Sequence, residues 1–175
     1  LGLNAQAILA KYHEFFHDEE LDAPELYRQV GERKAQILST EGMPVKKGLV
    51  GLLDVLDQKG IKKAVASGSS FESIKQNIAA AGLTGRFYLL MTTEWVKIGK
   101  PFPDVFLAIC DKLNIEPSDA LVLEDAENGV RAALAAGIRV INVPDMLPLP
   151  EELAGQCVSV EESLCDVIPY IEKEA

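Results

Sequence analysis

The sequence predicts an α/β fold: a Rossmann-like parallel sheet with helices on both faces, preceded by a helical segment. Three observations carry this expectation. From residue 45 onward, short apolar runs alternate with amphipathic helical stretches, and repeated βα units imply parallel strands joined by right-handed crossovers. The run Leu-Val-Leu at 121–123 is apolar throughout and stops abruptly at Glu124 and Asp125, the pattern of a parallel strand buried on both faces. The chain also has material for a substantial core. Its 175 residues, 48% of them apolar, suit one domain with a small appendage and argue against disorder.

The first 42 residues carry no strand pattern. Ile8, Leu9, Tyr12, Phe15 and Phe16 recur at helical spacing, and Leu26, Tyr27, Val30, Ala35, Ile37 and Leu38 do so again. Asp22 is placed to cap the second of these helices, with Pro24 near its first turn. Gly42, Met43 and Pro44 punctuate the end, so the predicted domains are residues 1–42 and residues 43–175. In the second domain, Leu49, Leu52, Leu53 and Leu56 form an amphipathic helix ended by Gly60. Residues 61–66 read as a strand, and residues 71–81 as a helix closed by Gly82. A second strand follows over residues 87–91, then a helix over 105–113 introduced by Pro101 and Pro103. Residues 121–123 are a third strand, 129–136 a helix and 138–143 a fourth strand. Residues 144–156, with three prolines, read as a surface loop leading to a last helix over residues 160–172.

Composition narrows the function. A net charge of −10 speaks against a broad nucleic-acid or anionic-membrane surface, though a small phosphate ligand needs only a local positive site. Cys110, Cys157 and Cys165 are odd in number and lack CxxC spacing, which suits free thiols in a reducing compartment better than disulfides or a zinc ribbon. No apolar run approaches membrane-spanning length, and the N-terminus shows no basic stretch followed by an apolar one. A cytoplasmic location is the expectation.

Three chemically promising features fall just after predicted strand ends, where open α/β sheets bind their ligands. Ser67, Gly68 and Ser69 lie between the first strand and its helix. Small residues there let backbone N–H groups approach an anion, and a hydroxyl adds a donor; an ordinary serine N-cap explains the same residues. Lys100 follows the second strand between Gly99 and Pro101, which restrict the chain around it and could aim its ammonium at a phosphate; the alternative is a solvated lysine. Glu124 and Asp125 end the third strand. Two adjacent carboxylates are costly to desolvate without a cation or donors, and Mg²⁺ takes one or two carboxylates together with phosphate oxygens and water. The alternative is a helix N-cap. A hydroxyl, an ammonium and metal-binding carboxylates along one sheet edge suit phosphoryl transfer, which depends on positioning and charge stabilisation. No GxGxxG or GxxxxGK[ST] pattern occurs, so dinucleotide and P-loop readings lose their main support.

One motif points elsewhere. His13-Glu-Phe-Phe-His17 satisfies HExxH, but these are the only two histidines, and Glu19 and Glu20 lie too close to serve as the usual third zinc ligand. With Tyr12, Phe15 and Phe16 beside it, this segment reads better as an ordinary packing helix.

The ordered set Ser67-Gly-Ser, Gly99-Lys-Pro-x-Pro-Asp104 and Leu123-Glu-Asp-x-x-Asn-Gly129 resembles the haloacid dehalogenase-like hydrolases, within them the branch of phosphoglycolate phosphatase and β-phosphoglucomutase. The resemblance covers nearly the whole chain. It implies that Ser67 hydrogen-bonds the transferring phosphoryl group, with Gly68 and Ser69 supplying backbone. It implies that Lys100 neutralises that group and orients the nucleophile, and that Asp125 and Glu124 hold Mg²⁺. Residues 1–42 become the later part of a helical cap, whose helix bearing Glu32, Arg33 and Lys34 either faces the cleft or is a solvated face. The expected function is Mg²⁺-dependent hydrolysis of a small phosphorylated metabolite through an aspartyl-phosphate. A sugar-phosphate mutase is the alternative within the family, and a non-catalytic phosphate- or protein-binding fragment the alternative outside it. A receiver-type signalling domain orders its acids, hydroxyl and lysine differently.

The sequence departs from the family in one respect. Members begin with a strand ending in Asp-x-Asp-Gly-Thr, which supplies the nucleophile and the acid/base aspartate, and no such motif occurs in the 175 residues. That strand belongs in the middle of the sheet. The expectation is therefore a chain truncated within the cap, with an N-terminal segment or a second chain completing the sheet.

Overall fold

The computed structural model describes residues 5–16 and 22–174. The chain divides into two compact units, Leu3–Pro44 and Val45–Ala175.

In the smaller unit, α1 (Ala5–Phe16) and α2 (Ala23–Glu41) pack on each other. Asp22 caps α2 by accepting from the Glu25 N–H at 2.9 Å, and Pro24 sits in the first turn, where its missing N–H costs nothing. Arg28 pairs with Glu25 at 2.6 Å and with Glu32, one turn to either side. The Arg28 guanidinium, helped by Gln29, holds the Glu25 carboxyl down at about 2. Glu32, Arg33 and Lys34 are all exposed within this unit. Of the HExxH motif, His13 lies in α1, but its side chain and His17, with Glu19 and Glu20, fall outside the described residues.

The larger unit runs α3 (Leu49–Gln58), β1 (Ala64–Ser67), α4 (Phe71–Ala80), β2 (Leu89–Thr92), α5 (Asp104–Leu113), β3 (Leu121–Glu124), α6 (Glu127–Ala135), β4 (Arg139–Asn142), α7 (Glu151–Ala154), β5 (Ser159–Val160) and α8 (Leu164–Glu174). All strand pairs are parallel. β1 pairs with β2, Ser67 opposite Thr92, and a separate sheet has the order β3-β4-β5, Glu124 opposite Asn142. Side chains alternate between two helical layers, as strand geometry requires. Val122 and Val140 face a layer built from α5 and α6, while Leu121, Leu123 and Ile141 face α3 and α8. The first layer also takes Ala64, Ala66, Leu89 and Met91, so α5 and α6 cover both pieces of sheet. Val130, Ile141 and Val167 are completely buried, each such side chain contributing roughly 1.5–3 kcal/mol.

Four consecutive helices stop in the same way. α3, α4, α5 and α6 end at Gly60, Gly82, Asn114 and Gly137, all with positive φ. The next residue, Ile61, Leu83, Ile115 or Ile138, donates its N–H back five residues to Leu56, Ile78, Cys110 or Ala133. This is the Schellman arrangement, with its apolar residue one position past the turn. It explains why β1 starts at Ala64 rather than at residue 61: Ile61 is still bonded to the end of α3. β2 also begins later than its apolar run, at Leu89, after Tyr88 donates to the Lys63 carbonyl at 2.8 Å.

The C-terminal segment differs most from expectation. Val160 is not the start of a helix but the end of β5, because the Val158 and Glu161 N–H groups bond to the Val140 and Asn142 carbonyls. The last helix starts at Leu164, preceded by Ser163, whose N–H and hydroxyl both donate to the Asp166 carboxylate at 3.1 and 2.7 Å. The loop before it contains α7, which buries Leu153 against the first helical layer. Among the described residues, no helix is long and apolar enough to cross a membrane.

Candidate functional site

The C-terminal ends of β1, β2 and β3 carry Ser67, Thr92 and Glu124 as their last residues. Lys100 joins the two sheets there. Its ammonium donates to the Ala66 carbonyl of β1 at 3.1 Å and forms an ion pair with Glu124 of β3. Both side chains are nearly buried, with 7% of the lysine and 10% of the glutamate exposed. The Phe106 ring of α5 lies 5.0 Å from the ammonium, a cation–π contact that further offsets its desolvation. A buried charge is tolerable only when paired and hydrogen-bonded, and each group here is both.

The glutamate is held from several sides. Its second carboxylate oxygen accepts from the Asp125 and Ala126 N–H groups at 3.1 and 3.4 Å. Its backbone carbonyl accepts from the Asn142 side-chain amide at 2.9 Å and from the Val143 N–H at 2.8 Å. Gly129, in the first turns of α6, lies so close that a Cβ there would overlap the carboxylate. A side chain at 129 would push that carboxylate aside where α6 meets the end of β3. Asn142 is fully buried, and its Oδ1 has no partner among the described residues.

On the β1 side, the Ser67 hydroxyl accepts from the Ser69 N–H at 3.1 Å, folding the loop back on itself. Thr92, fully buried, donates its hydroxyl to the Ser69 carbonyl at 2.7 Å and accepts from the Glu94 N–H at 3.2 Å. One hydroxyl thus ties the loop after β1 to the turn after β2. Ser70, not Ser67 or Ser69, is the N-cap of α4, accepting from the Ser73 N–H. Lys100 is held in a short loop in which Phe102 N–H bonds to the Gly99 carbonyl and the Asp104 carboxylate accepts from the Ile98 N–H.

Of the residues singled out in the sequence, Lys100 and Glu124 meet directly, and Lys100 reaches the residue before Ser67. Gly68 and Ser69 form the loop beyond Ser67, and Asp125 follows Glu124, half-buried. The sequence reading missed Thr92, Phe106 and Asn142. A faint signal existed for two of them: Thr92 closes the apolar run Leu-Leu-Met, and Asn142 interrupts Val-Ile-x-Val.

Among the described residues, no three His, Cys, Asp or Glu side chains are grouped to hold a metal. The donor chemistry nevertheless suits Mg²⁺, which needs only one or two carboxylates from protein: Asp125 and Glu124 are adjacent hard oxygen donors at a strand end. Lys100 shares Glu124 with any such ion. Cys110 and Cys157 are poor nucleophiles, since burial pushes both thiols up.

Known proteins share this architecture. A family profile described as haloacid dehalogenase-like hydrolase matches residues 1–143. The chain is 36% identical over 134 residues to a bifunctional riboflavin kinase/FMN phosphatase of Arabidopsis thaliana, covering 76% of this chain and 34% of that protein. It is 38% identical over 104 residues to hexitol phosphatase A of Escherichia coli K12, covering 59% and 48%. The chain spans about half or less of the length of these curated relatives. Among solved structures, CbbY from Rhodobacter sphaeroides in complex with phosphate superposes with a TM-score of 0.75 at 25% identity, over 91% of this chain and 74% of that one.

Proposed function

The chain belongs to the haloacid dehalogenase-like hydrolases, and from that premise we propose that it works as part of a Mg²⁺-dependent phosphomonoester hydrolase acting on a small phosphorylated metabolite. One observation carries the reading: the Lys100 ammonium spans the ends of β1 and β3, between the Ser67 loop and the Glu124–Asp125 pair.

In this reading the Ser67 hydroxyl and the loop through Gly68 and Ser69 hold the phosphoryl oxygens. Lys100 offsets their charge from the opposite side, as preorganised donors do in a partly dry site. Thr92 keeps the loop from moving as charge shifts, because its hydroxyl fixes the Ser69 carbonyl. Asp125 and Glu124 would hold Mg²⁺. When bound, that ion supplies neutralisation of phosphoryl charge. Glu124 meanwhile orients the lysine, and Asn142 and Gly129 orient Glu124. The aspartate nucleophile of the proposed aspartyl-phosphate route lies outside these 175 residues, on an N-terminal segment or second chain pairing between β1 and β3. α1 and α2 read as the later part of a substrate-selecting cap. A cytoplasmic location belongs to the same reading, supported by the free thiols of Cys110, Cys157 and Cys165.

The test is phosphate release from a panel of small phosphate esters, with and without Mg²⁺, using the full chain together with the strand-bearing segment. Mg²⁺-dependent release that disappears in Lys100→Met and Ser67→Ala is the expected result. Isomerisation of a sugar phosphate that requires a bisphosphate would replace this reading with a mutase. Phosphate release by the 175 residues alone would contradict the placement of the nucleophile.

A further inference from the structure

At the rim of the same edge, Phe71 and Trp95 stack with ring centroids 4.6 Å apart and planes inclined at 40°. Phe71 is the first residue of α4, directly after its Ser70 cap, and Trp95 ends the short helical turn that follows β2. The two carriers are tied together. Thr92 caps the turn bearing Trp95 and donates to Ser69 in the loop that leads to Phe71, and β1 and β2 are in register with Ser67 opposite Thr92. The aromatic pair is therefore fixed relative to the Ser67 loop by the same hydroxyl that orders that loop. Phe71 is engaged by Trp95 and by the Lys75 ammonium, 5.4 Å from its centroid. Trp95 is not so covered: 53% of it remains exposed. Its turn is capped by Thr92 at the strand edge that carries Ser67 and the Lys100–Glu124 pair.

We propose that Trp95 is a specificity-determining residue that stacks on a planar aromatic ring in the alcohol portion of the phosphate ester, so that ring-bearing monoesters such as nucleoside 5′-monophosphates are preferred over polyol or plain sugar phosphates. The proposal rests on the phosphate-site reading above and adds the substrate class. Stacking supplies the discrimination: an open indole face gains from a planar π-system in an offset arrangement and far less from a hydroxylated chain. Base–aromatic stacking of roughly 1–3 kcal/mol corresponds to about five- to 150-fold in affinity.

Trp95 is the single tryptophan of the chain, so its fluorescence reports this position alone. The full chain, together with the strand-bearing segment, is titrated with inorganic phosphate, ribose 5-phosphate and uridine 5′-monophosphate, by fluorescence and by calorimetry. The nucleotide should quench Trp95 and bind at least about tenfold more tightly than ribose 5-phosphate. By calorimetry, Trp95→Ala should bring the nucleotide down to the affinity of ribose 5-phosphate without changing the latter, and Trp95→Tyr should keep most of the preference. Equal affinity for the two esters, or a preference that survives Trp95→Ala, overturns the substrate class while leaving the phosphate site intact. Failure of inorganic phosphate and both esters to bind overturns the phosphate-site reading and this inference with it.

Discussion

Lys63 and Lys100 are both nearly buried ammonium groups, 8% and 7% exposed, and each is paired with a carboxylate at one end of the strands. Their surroundings differ. Lys63, just before β1, bonds to Asp57, which is 51% exposed and also held by Arg86 at 2.8 Å; Arg86 in turn reaches Asp54 at 2.7 Å. That is a redundant network in contact with water, clamping the end of α3 to the starts of β1 and β2. Lys100, at the opposite edge, has a partner that is itself only 10% exposed and that meets no other side-chain cation among the described residues. Redundancy and solvent make the first cluster forgiving. In the second, the Lys100 ammonium and the Glu124 carboxylate are each other's side-chain ion partners, backed by the Ala66 carbonyl and the Asp125 and Ala126 N–H groups, which suits chemistry better than stability.

Removing one partner tests this most severely. Lys100→Met leaves Glu124 buried without its cation and should cost about 3–5 kcal/mol in denaturant unfolding. Lys100→Met combined with Glu124→Gln should recover most of that, because the charge left behind is gone. If the single variant is no less stable than Lys63→Met, the distinction between the two ends fails.

Gly129→Ala comes next. In an exposed helix the change would stabilise by up to about 1 kcal/mol. Here the new methyl overlaps the Glu124 carboxylate, so a net loss of about 1–3 kcal/mol is expected on thermal melting, together with weakened Mg²⁺ binding by calorimetry. A more stable protein would show that α6 can lift off β3.

Lys63→Met should be mild, about 1 kcal/mol or less by denaturant unfolding, since Asp57 keeps Arg86 and water. The smallest effect concerns pH. Lys63, with Arg86, holds Asp57 below the usual carboxylate range. A depressed folded-state value adds stability above the unfolded value of about 4 and loses it as pH falls through the folded value. Asp57→Asn should therefore be slightly less stable at neutral pH and show a shallower acid limb below about pH 4. An unchanged acid limb would mean the Asp57 network contributes nothing to folding.

Much of the fold was legible because its signals are local. Gly60 and Gly82 mark helix ends in the chain as they do in space, and Asp22 with Pro24 opens α2 where a capping residue and an early proline should. The missed element, β5, is two residues long and is held by hydrogen bonds that its flanks make to β4; Val158-Ser-Val160 alternates too briefly to mark a strand. The start of α8 was legible in principle, since Ser163 and Asp166 have capping-box spacing, but the apolar periodicity around Val160 masked it.

The site divides the same way. By itself, the sequence determined the order of elements up to β4 and the placing of Ser67, Lys100, Glu124 and Asp125 at or just after strand ends, because turns, caps and apolar periodicity act over a few residues. Only the tertiary structure decided that Lys100 takes Glu124 as its partner, that Gly129 makes room for that carboxylate, and that Thr92, Phe106 and Asn142 brace the arrangement. The Lys100–Glu124, Thr92–Ser69 and Asn142–Glu124 contacts join residues 24, 23 and 18 positions apart, and they come into being only when α5 and α6 pack across both pieces of the sheet.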